Sequence, residues 1–67
     1  MISNKPITEN EWMGLTLNEA MQKAKSIGYE WRIVEENGVS KMLEYSNKSN
    51  RVNFRLRNDR IIGVYPG

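Results

Sequence analysis

Gly38-Val39-Ser40-Lys41-Met42-Leu43-Glu44-Tyr45-Ser46-Asn47-Lys48-Ser49-Asn50-Arg51-Val52-Asn53-Phe54-Arg55-Leu56 is the stretch whose reading decides the fold. Its last third, carried on to Arg57, alternates strictly. Val52, Phe54 and Leu56 fall on one side, and Arg51, Asn53, Arg55 and Arg57 on the other. That period belongs to a strand with one buried face. Residues 38–50 show no clean helix or strand period. Links inside compact domains run to about 4–6 residues, and longer ones that persist tend to carry function. The rest of the chain therefore reads as a scaffold that holds this loop out.

Upstream of it, Tyr29 to Val34 is rich in aromatic and β-branched residues and predicts a strand, with Tyr29, Trp31 and Ile33 on one face. Two architectures part at Asn37-Gly38. The pair suits a two-residue hairpin turn, with Val39 to Tyr45 returning antiparallel. Alternatively the chain stays irregular to Asn50 and re-enters as a strand parallel to the first. Met42 and Leu43 are adjacent, and Ser40, Lys41 and Glu44 give no clean apolar face, so the irregular loop is the reading taken. Downstream, Asn58-Asp59 makes a tight turn, and Arg60 to Tyr65 pairs back through Ile61, Ile62 and Val64.

The helix signal lies before the first strand. Thr16-Leu17-Asn18-Glu19 fits a capping box, with the Thr16 hydroxyl and the Glu19 carboxylate each satisfying the other's main-chain amide. Leu17, Ala20, Met21, Ala24 and Ile27 recur at helical spacing, Lys23 and Lys25 suit the helix end, and Gly28 closes it. A helix is predicted over roughly 17–27. Residues 1–11 are polar and read as a poorly ordered lead-in, with Trp12 the first packing residue and one domain over 12–67. The fold class is α+β: one helix packed on a small mixed sheet, with a long exposed loop between the first and second strands.

Sixty-seven residues make one domain, which buries roughly 60% of its unfolded surface and has little stability to spare. There is no Cys and no His, so disulfides, Cys/His zinc sites and imidazole bases are ruled out. The serines have no base, and no carboxylate pair has catalytic spacing; enzymatic activity is not expected, nor any cofactor or metal. No apolar run approaches the roughly 20 residues that span a bilayer, and the amino terminus lacks a signal peptide's apolar stretch. The expectation is a cytoplasmic protein with no membrane partner, a monomer or weak dimer. A net charge of +2 is no nucleic-acid footprint by itself. Lys48, Arg51, Arg55, Arg57 and Arg60, with Trp31 or Tyr65 to stack, read more plainly as a solvated sheet face.

A set of residues adds a resemblance. Gly14-Leu15-Thr16, Glu19-Ala20, Gly28, Arg32-Ile33-Val34, Gly38, Arg51-Val52-Asn53-Phe54 and Gly63-Val64-Tyr65-Pro66-Gly67 together resemble the potato inhibitor I family over residues 12–67. The likeness is greatest to its small disulfide-free bacterial and phage members. The resemblance implies a serine protease inhibitor whose exposed loop enters a subtilisin- or chymotrypsin-type enzyme as a substrate would. It places the protease-binding loop at Leu43, Glu44, Tyr45, Ser46 and Asn47. It also implies that Arg51 and Asn53, on the following strand, support that loop from beneath. Aligned from Arg51 without gaps, the reactive bond is Tyr45–Ser46; matching the Glu-Tyr text instead gives Leu43–Glu44. Glu44 stands where the family carries Thr. The alternative reading is a non-inhibitory protein-binding module on the same scaffold, of the kind phages encode to act on a host protein.

Overall fold

The computed structural model describes residues 7–41 and 48–67. The one α-helix among these residues, α1 (Leu17–Ser26), starts where the capping box sets it. Glu19 N–H donates to the Thr16 hydroxyl over 3.2 Å, and Thr16 N–H donates to the Glu19 carboxylate over 2.9 Å. Two of the helix's orphan amides are thereby satisfied. At the other end Gly28, with φ +77°, lets the chain reverse. Tyr29 N–H then reaches the Ala24 carbonyl at 2.9 Å and Gly28 N–H the Lys25 carbonyl at 3.1 Å. This is the paired closure of a Schellman motif. Ile27 falls at the C-cap, past the last turn, and is left exposed although it continues the apolar spacing.

Among the described residues four strands form one mixed sheet: β1 (Glu30–Glu36), β2 (Val39–Ser40), β3 (Arg51–Arg57) and β4 (Arg60–Pro66), in the order β2-β1-β3-β4. β1 runs parallel to β3, and β3 antiparallel to β4. Both two-residue turns have positive φ at each central residue, Asn37 and Gly38 in one and Asn58 and Asp59 in the other. That conformation matches the twist of a tight hairpin. Each architecture left open at Asn37-Gly38 therefore supplies a part. The turn forms, but the returning strand is only Val39–Ser40, followed by a bond from Lys41 N–H to the Val34 carbonyl at 2.9 Å. The strand parallel to β1 is the later β3.

The core lies between α1 and one face of the sheet. Ala20 and Ala24 are small enough to bring the helix close, and Val52, Phe54, Leu56, Ile61 and Val64 meet it from β3 and β4. Trp12 closes one side, its ring 5.6 Å from that of Phe54. It is held there by a single 3-10 turn at Glu9–Glu11, and Ile7 packs on the same cluster. Segment 14–16 lies along the outer edge of β4. Gly14 N–H donates to the Ile61 carbonyl (3.0 Å), and Ile61 N–H to the Leu15 carbonyl (2.8 Å). The start of that edge, at Arg60 and Ile61, is thereby covered. No helix among the described residues is long and apolar enough to cross a membrane.

Candidate functional site

The site is built on the sheet face turned away from α1. In a parallel pair, residues in register share a face, and so do cross-strand partners in an antiparallel pair. The register places Arg32, Asn53 and Tyr65 in one row, and Glu35, Arg55 and Gly63 in the next. Asn53 is 0% exposed, although its side chain is polar. Its oxygen accepts from Arg32 Nε at 2.8 Å, and its amide donates to the Tyr65 main-chain oxygen at 3.2 Å. Burial of a carboxamide is tolerable when both ends are satisfied in this way.

One row further, Arg51 is 7% exposed. Its Nε and Nη2 both donate to the Gly67 main-chain oxygen, at 3.2 and 2.8 Å. Gly67 N–H returns a bond to the Arg51 carbonyl at 3.0 Å, and Lys48 N–H adds one to Gly67 at 3.2 Å. The Lys48 ammonium meets the Glu30 carboxylate at 3.1 Å, while Glu30 N–H donates to the Asn50 carbonyl at 2.7 Å. The β1–β3 connection is thus anchored at each side of segment 42–47: at Lys41 by Val34, and at Lys48–Asn50 by Glu30 and Gly67.

Leu43, Glu44, Tyr45, Ser46 and Asn47 lie outside the described residues, and with them both candidate bonds, Tyr45–Ser46 and Leu43–Glu44. Arg51 and Asn53 sit on the expected side of their strand, but that face is buried at their positions rather than open. Val34 is likewise buried without belonging to the core cluster beneath the helix. Nothing in the local sequence marks Arg32, Tyr65 and Gly67 as partners of Arg51 and Asn53. Only the register, with its irregularities at Ile33/Glu35 and Arg55/Leu56, brings them there. The basic residues along this face are largely engaged: Arg55 with Glu35 at 3.2 Å, Arg60 with the Gly14 carbonyl at 3.0 Å and Lys48 with Glu30.

One pKa stands out. The Glu19 carboxyl is held below its ordinary value, first by the Thr16 main-chain N–H and then by the Thr16 hydroxyl. This is a structural cap rather than catalytic tuning. A separate open groove of about 520 Å³ lies on the other face, between α1 and the start of β1, with Met21, Lys25, Tyr29 and Trp31 among its walls. Comparison with family models, with curated proteins and with solved structures returned no match to this chain.

Proposed function

We propose that this is a non-enzymatic, potato inhibitor I-like domain that offers residues 43–47 to a serine protease of the subtilisin or chymotrypsin type, with Tyr45–Ser46 as the bond presented. The observation that carries the reading is the anchoring of both flanks of that segment to one rigid sheet. Lys41 is tied to β1, and Lys48–Asn50 to β1 and Gly67. A loop held at both ends loses less entropy on binding than a free peptide, and affinity rises accordingly. Arg51 and Asn53, both buried, follow immediately downstream, at the positions where the resemblance implies the loop's supports. The test is titration of chymotrypsin and of subtilisin with the intact protein. Stoichiometric inhibition that outlasts prolonged incubation is expected; rapid digestion without inhibition would sink the proposal.

One observation favours a second reading, a non-inhibitory protein-binding module on the same scaffold. Asn53 directs its oxygen to Arg32 and an amide hydrogen to Tyr65, so its bonds found here stitch the sheet itself. Under this reading the loop binds a partner that is not a protease, and both enzymes above go uninhibited. A single non-protease protein recovered with the wild-type chain, and lost with Tyr45→Gly, separates the two.

A further inference from the structure

We infer that Asn37–Gly38 is a self-modification site: Asn37 cyclises onto the Gly38 nitrogen and loses ammonia, and the isoaspartyl product unclasps the turn that carries β2. The reaction joins Gly38 N to Asn37 Cγ and breaks the bond from Cγ to Nδ2. The amide proton of Gly38 leaves with that nitrogen as ammonia. Water then opens the cyclic imide at either carbonyl, giving Asp or isoAsp. Of the asparagines in the chain, only Asn37 is followed by glycine.

The turn favours that step in several ways. Asn37 and Gly38 are both exposed, and among the described residues a Cβ on Gly38 would meet nothing within 4 Å, so the attacking nitrogen is uncrowded. The Gly38 N–H has no hydrogen-bond partner among those residues, which leaves it open to solvent base. Asn58 N–H donates to Asn37 Oδ1 at 2.8 Å, the atom on which negative charge gathers as nitrogen adds to Cγ. Against it, the hairpin holds the Asn37 main chain, whose N–H donates to the Leu56 carbonyl at 2.9 Å, and the turn must swing open for nitrogen to reach Cγ. Opening costs little here. β2 is only Val39–Ser40, exposed and at the sheet edge, and such elements open far more readily than the core.

The two products differ. Asp keeps an acceptor for Asn58 N–H and leaves the turn intact. IsoAsp routes the main chain through Cβ and Cγ, adding an atom to a turn whose register pairs Glu36 with Val39. The bond from Lys41 N–H to the Val34 carbonyl, next along that register, is then lost, and with it one anchor of segment 42–47.

The reaction uses none of residues 42–47, so its failure and that of the protease reading are separate. The test incubates the intact chain in warm, mildly alkaline buffer. Peptide mass spectrometry maps asparagine conversion, and methyl transfer by a protein isoaspartyl methyltransferase counts isoaspartyl groups. Asn37 is expected to convert several-fold faster than every other asparagine, and the isoaspartyl form to lose hydrogen-exchange protection at the Lys41 amide. Freshly purified Asn37→Asp should keep that protection, and Asn37→Gly, which accepts the same positive φ, should take up few methyl groups. Conversion of Asn37 no faster than that of the other asparagines would overturn the inference. So would an isoaspartyl form with Lys41 protected as before, or methylation of Asn37→Gly at the wild-type rate.

Discussion

Arg32 donates from Nε to the side-chain oxygen of Asn53 over 2.8 Å, across the parallel β1–β3 pair, and Asn53 is wholly buried. The bond links the strand before the long connection to the strand after it. Loss of the carboxamide leaves a guanidinium and the Tyr65 carbonyl short of a partner. Asn53→Ala should lower stability by about 1–3 kcal/mol, the usual cost of stranding buried polar groups. A double-mutant cycle with Arg32→Ala in urea melts should give a coupling of roughly 0.5–3 kcal/mol. Additive losses would mean that the two side chains act separately.

Phe54 is the centre of the core, touching the Trp12 ring on one side and the Trp31 ring on another. Phe54→Ala should cost about 3–5 kcal/mol. For a domain of this size the whole stability is on the order of 3–10 kcal/mol. The variant is therefore expected to be partly or wholly unfolded at 37 °C by near-UV circular dichroism, and a cooperative native melt would contradict this packing.

Gly63 has ordinary φ, so its role is space. A Cβ there would stand 3.1 Å from Arg55 Cδ and 3.4 Å from Arg55 Cβ. Gly63→Ala should displace the Arg55 side chain by a few tenths of an ångström and weaken its pairing with Glu35, at some cost in stability. Gly63→Ala in an Arg55→Ala background should cost less, because the obstructing side chain is gone. Equal costs in the two backgrounds would place the strain elsewhere.

The capping box makes a prediction in pH. Because the folded-state pKa of Glu19 is lowered by bonds from Thr16, its contribution to stability is present above the unfolded carboxylate pKa. It is lost as pH falls through the folded value. Glu19→Gln should therefore melt below wild type at pH 7, with the gap closing under acid. Thr16→Ala should cost about 1 kcal/mol at pH 7, as N-cap deletions do. A pH-independent gap for Glu19→Gln would argue against the capping bond.

Local chemistry made much of this fold legible beforehand. Thr16, Glu19 and Gly28 mark the helix because caps act within a few residues of their own position. The alternation from Arg51 to Arg57 reports one buried face for a similar reason. The Asn-Gly turn was visible too, but not that its hairpin would extend only through Val39–Ser40. Register was not legible. Nothing near Arg32 in sequence says that it meets Asn53, 21 positions on, or that segment 14–16 lies along β4. The burial of Arg51 and Asn53 follows from that register, and so was invisible to a two-residue period that separates faces without saying what covers them. The β1 groove escaped for a related reason: Met21, Lys25 and Trp31 come from two elements whose juxtaposition is tertiary.

The central claim is that the scaffold presents residues 43–47 as a substrate-like loop. Its most direct test is chymotrypsin inhibition by wild-type protein and by Tyr45→Gly, with the cleaved bond mapped by mass spectrometry. The account predicts one-to-one inhibition by wild type, slow cleavage confined to Tyr45–Ser46, and inhibition largely abolished in Tyr45→Gly. Rapid cleavage of the wild-type chain within 43–47, with enzyme activity undiminished, would contradict it.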